Sequence, residues 1–400
     1  QTLTGGANDA IYVSLGATLT INDSVGNGSV KAATGGKAAV FNNGTTTIKN
    51  GYYTRSAGQW YTIVNHGTMT IENAKADASI DGTSSLIENG YSNYAKKDER
   101  AGYVAGTNAK NPELTIKDGT FVSSGYNAVK NDDGGILNIN GGSFSAVREN
   151  GAVIQNWHRA TITAGKFTAK GESGTISIGA YNTGVNDGVT TISGGTFSAE
   201  KNAVFAAGVG GNAKGKLTVE NGIFSGKMSS ELMNSAYDTT FSGGEFTDDP
   251  AQYVADGKVA IKFARANKDG NYYVGTQEEI QEIANTAKDG DTIDVIKGSI
   301  TLNMTTPGVN VNNDRSNEKG EVIVNGTPLN PGYGMEIQKP ATDPTKPSQD
   351  QTQKPSDTAK ADKSANTGDD FNMIAAGAAA LAAIIAMAAV AITGRRHRQR

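Results

Sequence analysis

The feature that most limits how this chain can fold is a pattern that recurs eight times within its first 250 residues. It is anchored on Ile48, Ile71, Ile116, Ile139, Ile162, Ile192, Val219 and Phe241, at successive spacings of 23, 45, 23, 23, 30, 27 and 22 residues. All units but the one at Ile71 carry Gly three residues after the anchor and an aromatic five after it. Those aromatics are Tyr53, Phe121, Phe144, Phe167, Phe197, Phe224 and Phe246, and a weaker unit at Ile21 opens the series.

In one straight strand, an anchor and a residue five further on would face opposite sides. A Gly with positive φ between them bends the chain, so both apolar side chains can point inward. A second apolar run follows each turn, as at Ala128-Val129, Val153-Ile154, Ile176 to Ile178 and Val204-Phe205. Such units hold two or three short strands, and stacking them every ~4.8 Å sets like residues above like. The pattern therefore predicts an all-β solenoid over residues 1–250, a right-handed parallel β-helix with the seven aromatics stacked inside. With 51 Gly and 19% charged residues, the composition also favours turns over helices.

Asn or Asp stands six residues before five anchors, at Asn42, Asn65, Asp133, Asn156 and Asn186. An interior amide ladder and a plain turn preference both account for this. The 45-residue interval reads as one enlarged coil with an insertion of about 22 residues, which carries Tyr91, Tyr94, Tyr103 and the charged run Lys96 to Arg100.

After Asp248-Asp249-Pro250 the units stop. Residues 251–338 read as a small α+β module closing the rod: a hairpin about Asp269-Gly270, then a helix opened by the capping box Thr276 to Glu279 and ended by Gly290. Ile280, Ile283, Ala284 and Ala287 share one helix face, and short strands follow at Thr292–Ile296, Gly298–Leu302 and Glu321–Val324. Residues 339–366 hold four prolines and no aromatic, Ile, Leu, Val or Met, so they cannot bury enough surface to fold.

From Phe371 to Gly394 no residue is charged, and Arg395, Arg396, Arg398 and Arg400 follow. A twenty-residue apolar run within it (Met373 to Ile392) suffices for the ~30 Å of a bilayer core. It predicts a transmembrane helix over 372–393 with its basic tail inside the cell. Ser364-Ala365-Asn366-Thr367-Gly368 stands just upstream. This order of polar motif ending Thr-Gly, apolar helix and basic tail resembles the cell-wall sorting signals that sortases of Gram-positive bacteria read. Ala365 to Gly368 match the Leu-Ala-x-Thr-Gly subclass, with Ser364 in place of Leu. The resemblance implies cleavage between Thr367 and Gly368 and transfer of the Thr367 carbonyl to an amine of the wall peptide. It also implies sortase and peptidoglycan as partners, 339–366 as a wall-spanning linker and a place on the cell surface. The chain opens at Gln1 in mid-pattern, which reads as the C-terminal part of a longer exported protein.

Little in the sequence points to catalysis. There is no Cys and only three His, so thiolate chemistry and His-rich metal centres are excluded, and no metal or cofactor is expected. Without the four terminal-tail Arg the charge is −8, from 32 basic against 40 acidic residues, a balance that disfavours nucleic acid. Parallel β-helices include pectate-lyase-like enzymes and glycosidases. Asp132-Asp133, Arg148-Glu149 and His158-Arg159 are the residues such a site could use, yet no two carboxylates recur at matched offsets. His66 lies outside the core stripes, which suggests a surface role. Trp60, Tyr61, Tyr91, Tyr94, Tyr103, Trp157 and Tyr181 fall at turns or in the insertion, where exposed rings suit sugars or protein partners. The chain is read as a wall-anchored adhesin or display stalk and not as an enzyme. A surface polysaccharide lyase or glycoside hydrolase and a structural spacer are the alternatives.

Overall fold

The computed structural model describes residues 1–56, 60–77, 84–90, 111–147, 152–170, 176–178, 188–207, 215–228, 237–339 and 354–355. They form an all-β parallel solenoid of about ten turns, followed by a smaller module. Each full turn contributes one strand to each of three parallel stacks.

The first stack, the anchor sheet, has nine strands from Thr18–Ile21 to Tyr237–Phe241. Its register places Ile48 on Ile71, Ile71 on Ile116, Ile116 on Ile139 and so on to Val219 on Phe241. Because Ile71 pairs directly with Ile116, the 45-residue interval is a single enlarged turn. Residues 91–110 of that turn lie outside the described ones.

The second stack, the aromatic sheet, begins one sharp corner later. The seven corner glycines named by the repeat all have positive φ, from 97° at Gly142 to 138° at Gly119 and Gly222. Six Phe rings then stack continuously from Phe121 through Phe144, Phe167, Phe197 and Phe224 to Phe246, with centroids 4.6–5.0 Å apart. Interplanar angles stay at or below 15° because a parallel in-register sheet repeats one rotamer at the strand spacing. Tyr53 occupies the same row, but the register sets Ala76 between it and Phe121. Burial of each ring contributes ~1.5–3 kcal/mol before chain entropy is subtracted.

The third stack, the asparagine sheet, consists of three-residue strands such as Ile63–Asn65 and Val129–Asn131. Their last residues form an interior ladder in which each amide nitrogen donates to the amide oxygen one turn on. The rungs are Asn42 to Asn65, Asn65 to Asn89 and Asn89 to Asn131, each 2.7 Å, then Asn131 to Asn156 at 2.8 Å. Asn156 ends the ladder on Thr190 Oγ1 at 2.9 Å. The same amides cap backbone carbonyls of the next turn, such as Ile136 O at 3.0 Å and Arg159 O at 2.9 Å. The rung expected at Asp133 belongs to Asn131, because Asp132-Asp133 lengthen that corner by two residues. Asn186 lies outside the described residues.

The last turn is closed by Phe241, which stacks on Phe246 at 5.0 Å and meets Tyr253 at 5.2 Å. The aromatic sheet then runs on into the module. Gly244–Phe246 pairs antiparallel with Asn271–Gly275, which pairs with Val259–Ala264, which pairs with Thr292–Lys297. Ala260, Val274 and Ile296 face the solenoid core, whereas Val259, Ile261, Phe263 and Val295 face a second core. This shared plate joins the two bodies. Beyond it Thr292–Lys297 pairs parallel with Asn310–Asn313, and Ile300–Leu302 with Val322–Val324, one further solenoid-like turn. The helix α1 (Gln277–Ala284) has the expected capping box, with Glu279 N donating to Thr276 Oγ1 and Thr276 N to Glu279 Oε2. It stops well before Gly290, because Thr286 N and Ala287 N bond three residues back, tightening the chain after Asn285.

The linker, apart from Lys339 and Lys354–Pro355, and the apolar C-terminal run lie outside the described residues. Among the described residues no helix is long and apolar enough to cross a membrane.

Candidate functional site

In a strand of the asparagine sheet the first and last residues point inward, so the middle one points out. The outer row reads Phe41, Val64, Glu88, Lys130 and Gln155 in register. An outer row on a solvated sheet should be exposed, yet Phe41 and Val64 are fully buried and Glu88 is only 3% exposed. This flank of the rod is therefore covered.

Its apolar half is a satellite cluster of Ala38, Phe41 and Val64, packed against half-buried Trp60 and Tyr61. Trp60 and Tyr61 meet edge to face with centroids 5.3 Å apart, and Tyr12 stacks on Phe41 at 5.5 Å. Arg55, at 2% exposure, fastens the covering loop by donating to the carbonyls of Lys37 and Tyr61. His66 and Phe41 meet at nearly a right angle with centroids 5.1 Å apart.

The polar half continues from His66 without a break. His66 Nε2 lies 3.8 Å from Glu88 Oε2. Lys130 Nζ reaches Asp132 Oδ2 at 2.6 Å and sits 4.3 Å from the centre of the Trp157 ring. Burial pushes the Asp132 carboxyl up to about 7; Lys130 opposes the rise and the Glu88 charge adds to it. The Lys130 pair alone would lower it, but desolvation of a fully buried carboxylate outweighs one ammonium that is itself partly solvated. The result is two acidic groups, one ammonium and an indole on adjacent turns, with one carboxyl able to exchange a proton near neutrality. Enclosed in this way, such a set can pass a proton among its own members.

Several sequence expectations are corrected here. Trp157 is 6% exposed and roofed by Lys130, so it offers no open aromatic platform. His66 is buried instead of lying at the surface, because the loops over the outer row enclose it. Asp132 and Asp133, named as residues a catalytic site on an outer face could use, are fully buried. His158 is half-buried and Arg159 exposed. Arg148, Glu149, Tyr91, Tyr94, Tyr103, Tyr181 and the motif Ser364 to Gly368 lie outside the described residues. The sequence reading missed Glu88 and Lys130. Aligning the triplets Val40–Asn42, Ile63–Asn65, Ile87–Asn89 and Val129–Asn131 by their final Asn would have set both in one outer row. Among the described residues no group of three His, Asp or Glu could hold a metal ion.

The chain matches no protein-family model, no curated protein and no solved structure.

Proposed function

We propose that this chain is a surface adhesin, displayed on a Gram-positive cell as a right-handed β-helical stalk and joined covalently to the wall through Thr367. The observation that carries the reading is the C-terminal order: Ser364 to Gly368, then the uncharged stretch Phe371 to Gly394, then the Arg cluster. Residues 339–366 would thread the wall as an extended linker, and the apolar run would hold the chain in the membrane until sorting. Right-handed crossing is the hand that strand sterics favour between parallel strands. The rod supplies reach, and the insertion at 91–110, which lies in sequence between Glu88 and Lys130 of the covered flank, supplies contact with glycans or with proteins of a host or neighbouring cell. Deleting Tyr91 to Tyr103 should abolish adhesion to target cells while the thermal transition of the rod persists. Unimpaired adhesion by that variant would overturn the assignment of contact to the insertion.

A second reading, a polysaccharide-cleaving enzyme, would use the Asp132 carboxyl beside Glu88 and Lys130, and requires the cover over that flank to open to substrate. Under the adhesin reading, Asp132→Asn and Glu88→Gln leave adhesion intact, and the purified chain does not shorten polysaccharide. Depolymerisation that either substitution stops would establish the enzyme instead.

A further inference from the structure

The corner between the anchor and aromatic sheets is closed in most turns. Gly141-Gly142, Gly194-Gly195 and Gly243-Gly244 fill it, and a Cβ at Gly141, Gly194 or Gly243 would run into a carbonyl of the preceding turn. Near the start of the rod the corner opens. The unit at Ile21 lacks the +3 Gly, and its chain takes a wider path from Asn22 to Gly28. That loop is built around Asp23, whose carboxylate accepts from the backbone N–H of Val25 at 3.2 Å, Gly26 at 2.9 Å and Gly28 at 2.6 Å. These bonds hold the Asp23 carboxyl below its ordinary range. Asn50 locks the loop to the next turn: it donates to Asp23 O at 3.1 Å and accepts from Asp23 N.

Between this loop and the aromatic sheet lies a groove of ≈ 480 Å³ that crosses four successive turns. One wall is the outward register row Ser29, Tyr52, Lys75 and Thr120. Asn50 and Asn73 line it with them, and the largest aliphatic side chain in the lining is that of Ala74. Tyr52 is fixed in place: its hydroxyl donates to Asp77 at 2.8 Å, Thr54 donates to the same carboxylate at 2.8 Å, and Lys75 Nζ lies 4.9 Å from the ring centre.

We infer that this groove is a saccharide-binding site. Its volume falls within the range of small-molecule sites, roughly 300–1,000 Å³. Its lining of hydroxyls, amides, the Asp23 carboxylate and one ammonium, beside a single aromatic ring that Lys75 already covers on one face, suits a hydroxyl-rich ligand and offers an apolar ligand almost nothing. The row repeats every ~4.8 Å along the rod, so the ligand would lie along the axis and meet one outward side chain per turn. The loop and the Tyr52 network are organised before binding, which spares the ligand the cost of ordering them.

This inference rests on the adhesin reading and adds a second contact, for sugar, in a groove separate from the insertion. The test uses the full chain on an array of immobilised neutral and acidic tri- to hexasaccharides, followed by titration of the best-bound soluble sugar. Tyr52→Ala should weaken binding at least tenfold. Asn73→Trp, at an exposed position that fills the groove without entering the core, should abolish it at an unchanged melting temperature. Removal of Tyr91 to Tyr103 should leave the array signal intact. Sugar binding unchanged in Asn73→Trp, or no array sugar bound by the native chain, would overturn the groove assignment. If the insertion deletion alone removes the array signal, the groove falls and the adhesin reading stands. Groove-dependent sugar binding by a chain that supports no cell adhesion would keep the groove and remove the adhesin.

Discussion

Gly222 and Phe224 are so close that a Cβ built on the glycine would stand 2.8 Å from Cζ of the ring. Gly119 and Phe121 repeat the relationship at 2.8 Å. The two halves of the repeat signature are thus one device. The glycine turns the corner with positive φ, and the ring two residues later folds back over its bare Cα. Gly222→Ala should therefore cost at least ~2 kcal/mol, combining a forbidden backbone conformation with a clash. In Gly222→Ala/Phe224→Leu the smaller side chain should relieve the clash, so urea unfolding should show a double-mutant cost below the sum of the singles.

Phe144→Ala or Phe167→Ala should each destabilise by ~3–5 kcal/mol, measured by chemical denaturation. Each ring is sandwiched between two others, so the neighbours cannot close the cavity without leaving their own register. An effect near the ~1 kcal/mol of an average substitution would contradict a continuous stack.

Asn89→Leu should be more damaging than its shape suggests. It removes the amide that donates to Asn131 Oδ1 and Ile136 O, so buried acceptors on the next turn lose their donor, while the Asn65 amide loses one acceptor and keeps Gly67 O and Glu113 O. Each such group costs about 1–3 kcal/mol, and thermal unfolding should register their combined effect.

Asp132 makes a pH prediction. Its carboxyl is raised from 3.8 to about 7 in the folded chain, so folding takes up a proton between those values. Stability should accordingly fall as pH rises from about 4 to 7, as the buried group is forced to ionise. Asp132→Asn should flatten that part of the melting-temperature profile, and an unaltered slope would contradict the raised value.

The parts of the fold that were legible in the sequence are those that repeat at constant offset. Ile116 and Ile139 align, and Gly142 and Phe144 follow at the same distance as Gly119 and Phe121, because one corner geometry recurs on successive turns. Asn131 was hidden because two additional corner residues shift it relative to Ile139, and Asn89 because the insertion separates it from Ile116. Burial of Trp157 and His66 depends on loops folding over an outer row, and loop paths carry no period. The groove at Tyr52 and Asn73 arises where the pattern fails, at the unit of Ile21 without its Gly and the unit of Ile71 with Ala74 and Ala76 in place of Gly and aromatic. The module's antiparallel returns at Thr327–Leu329 and Tyr333–Glu336 belong to no repeat and were not anticipated.

The central claim is that the chain ends its biosynthesis covalently joined to the cell wall. The most direct measurement is mass spectrometry of muralytic digests of purified walls from cells expressing the chain. The account predicts C-terminal peptides ending at Thr367 and carrying wall-peptide mass, lost in Thr367→Ala. Recovery of the native chain from membranes by detergent alone, with Arg400 still attached, would contradict it.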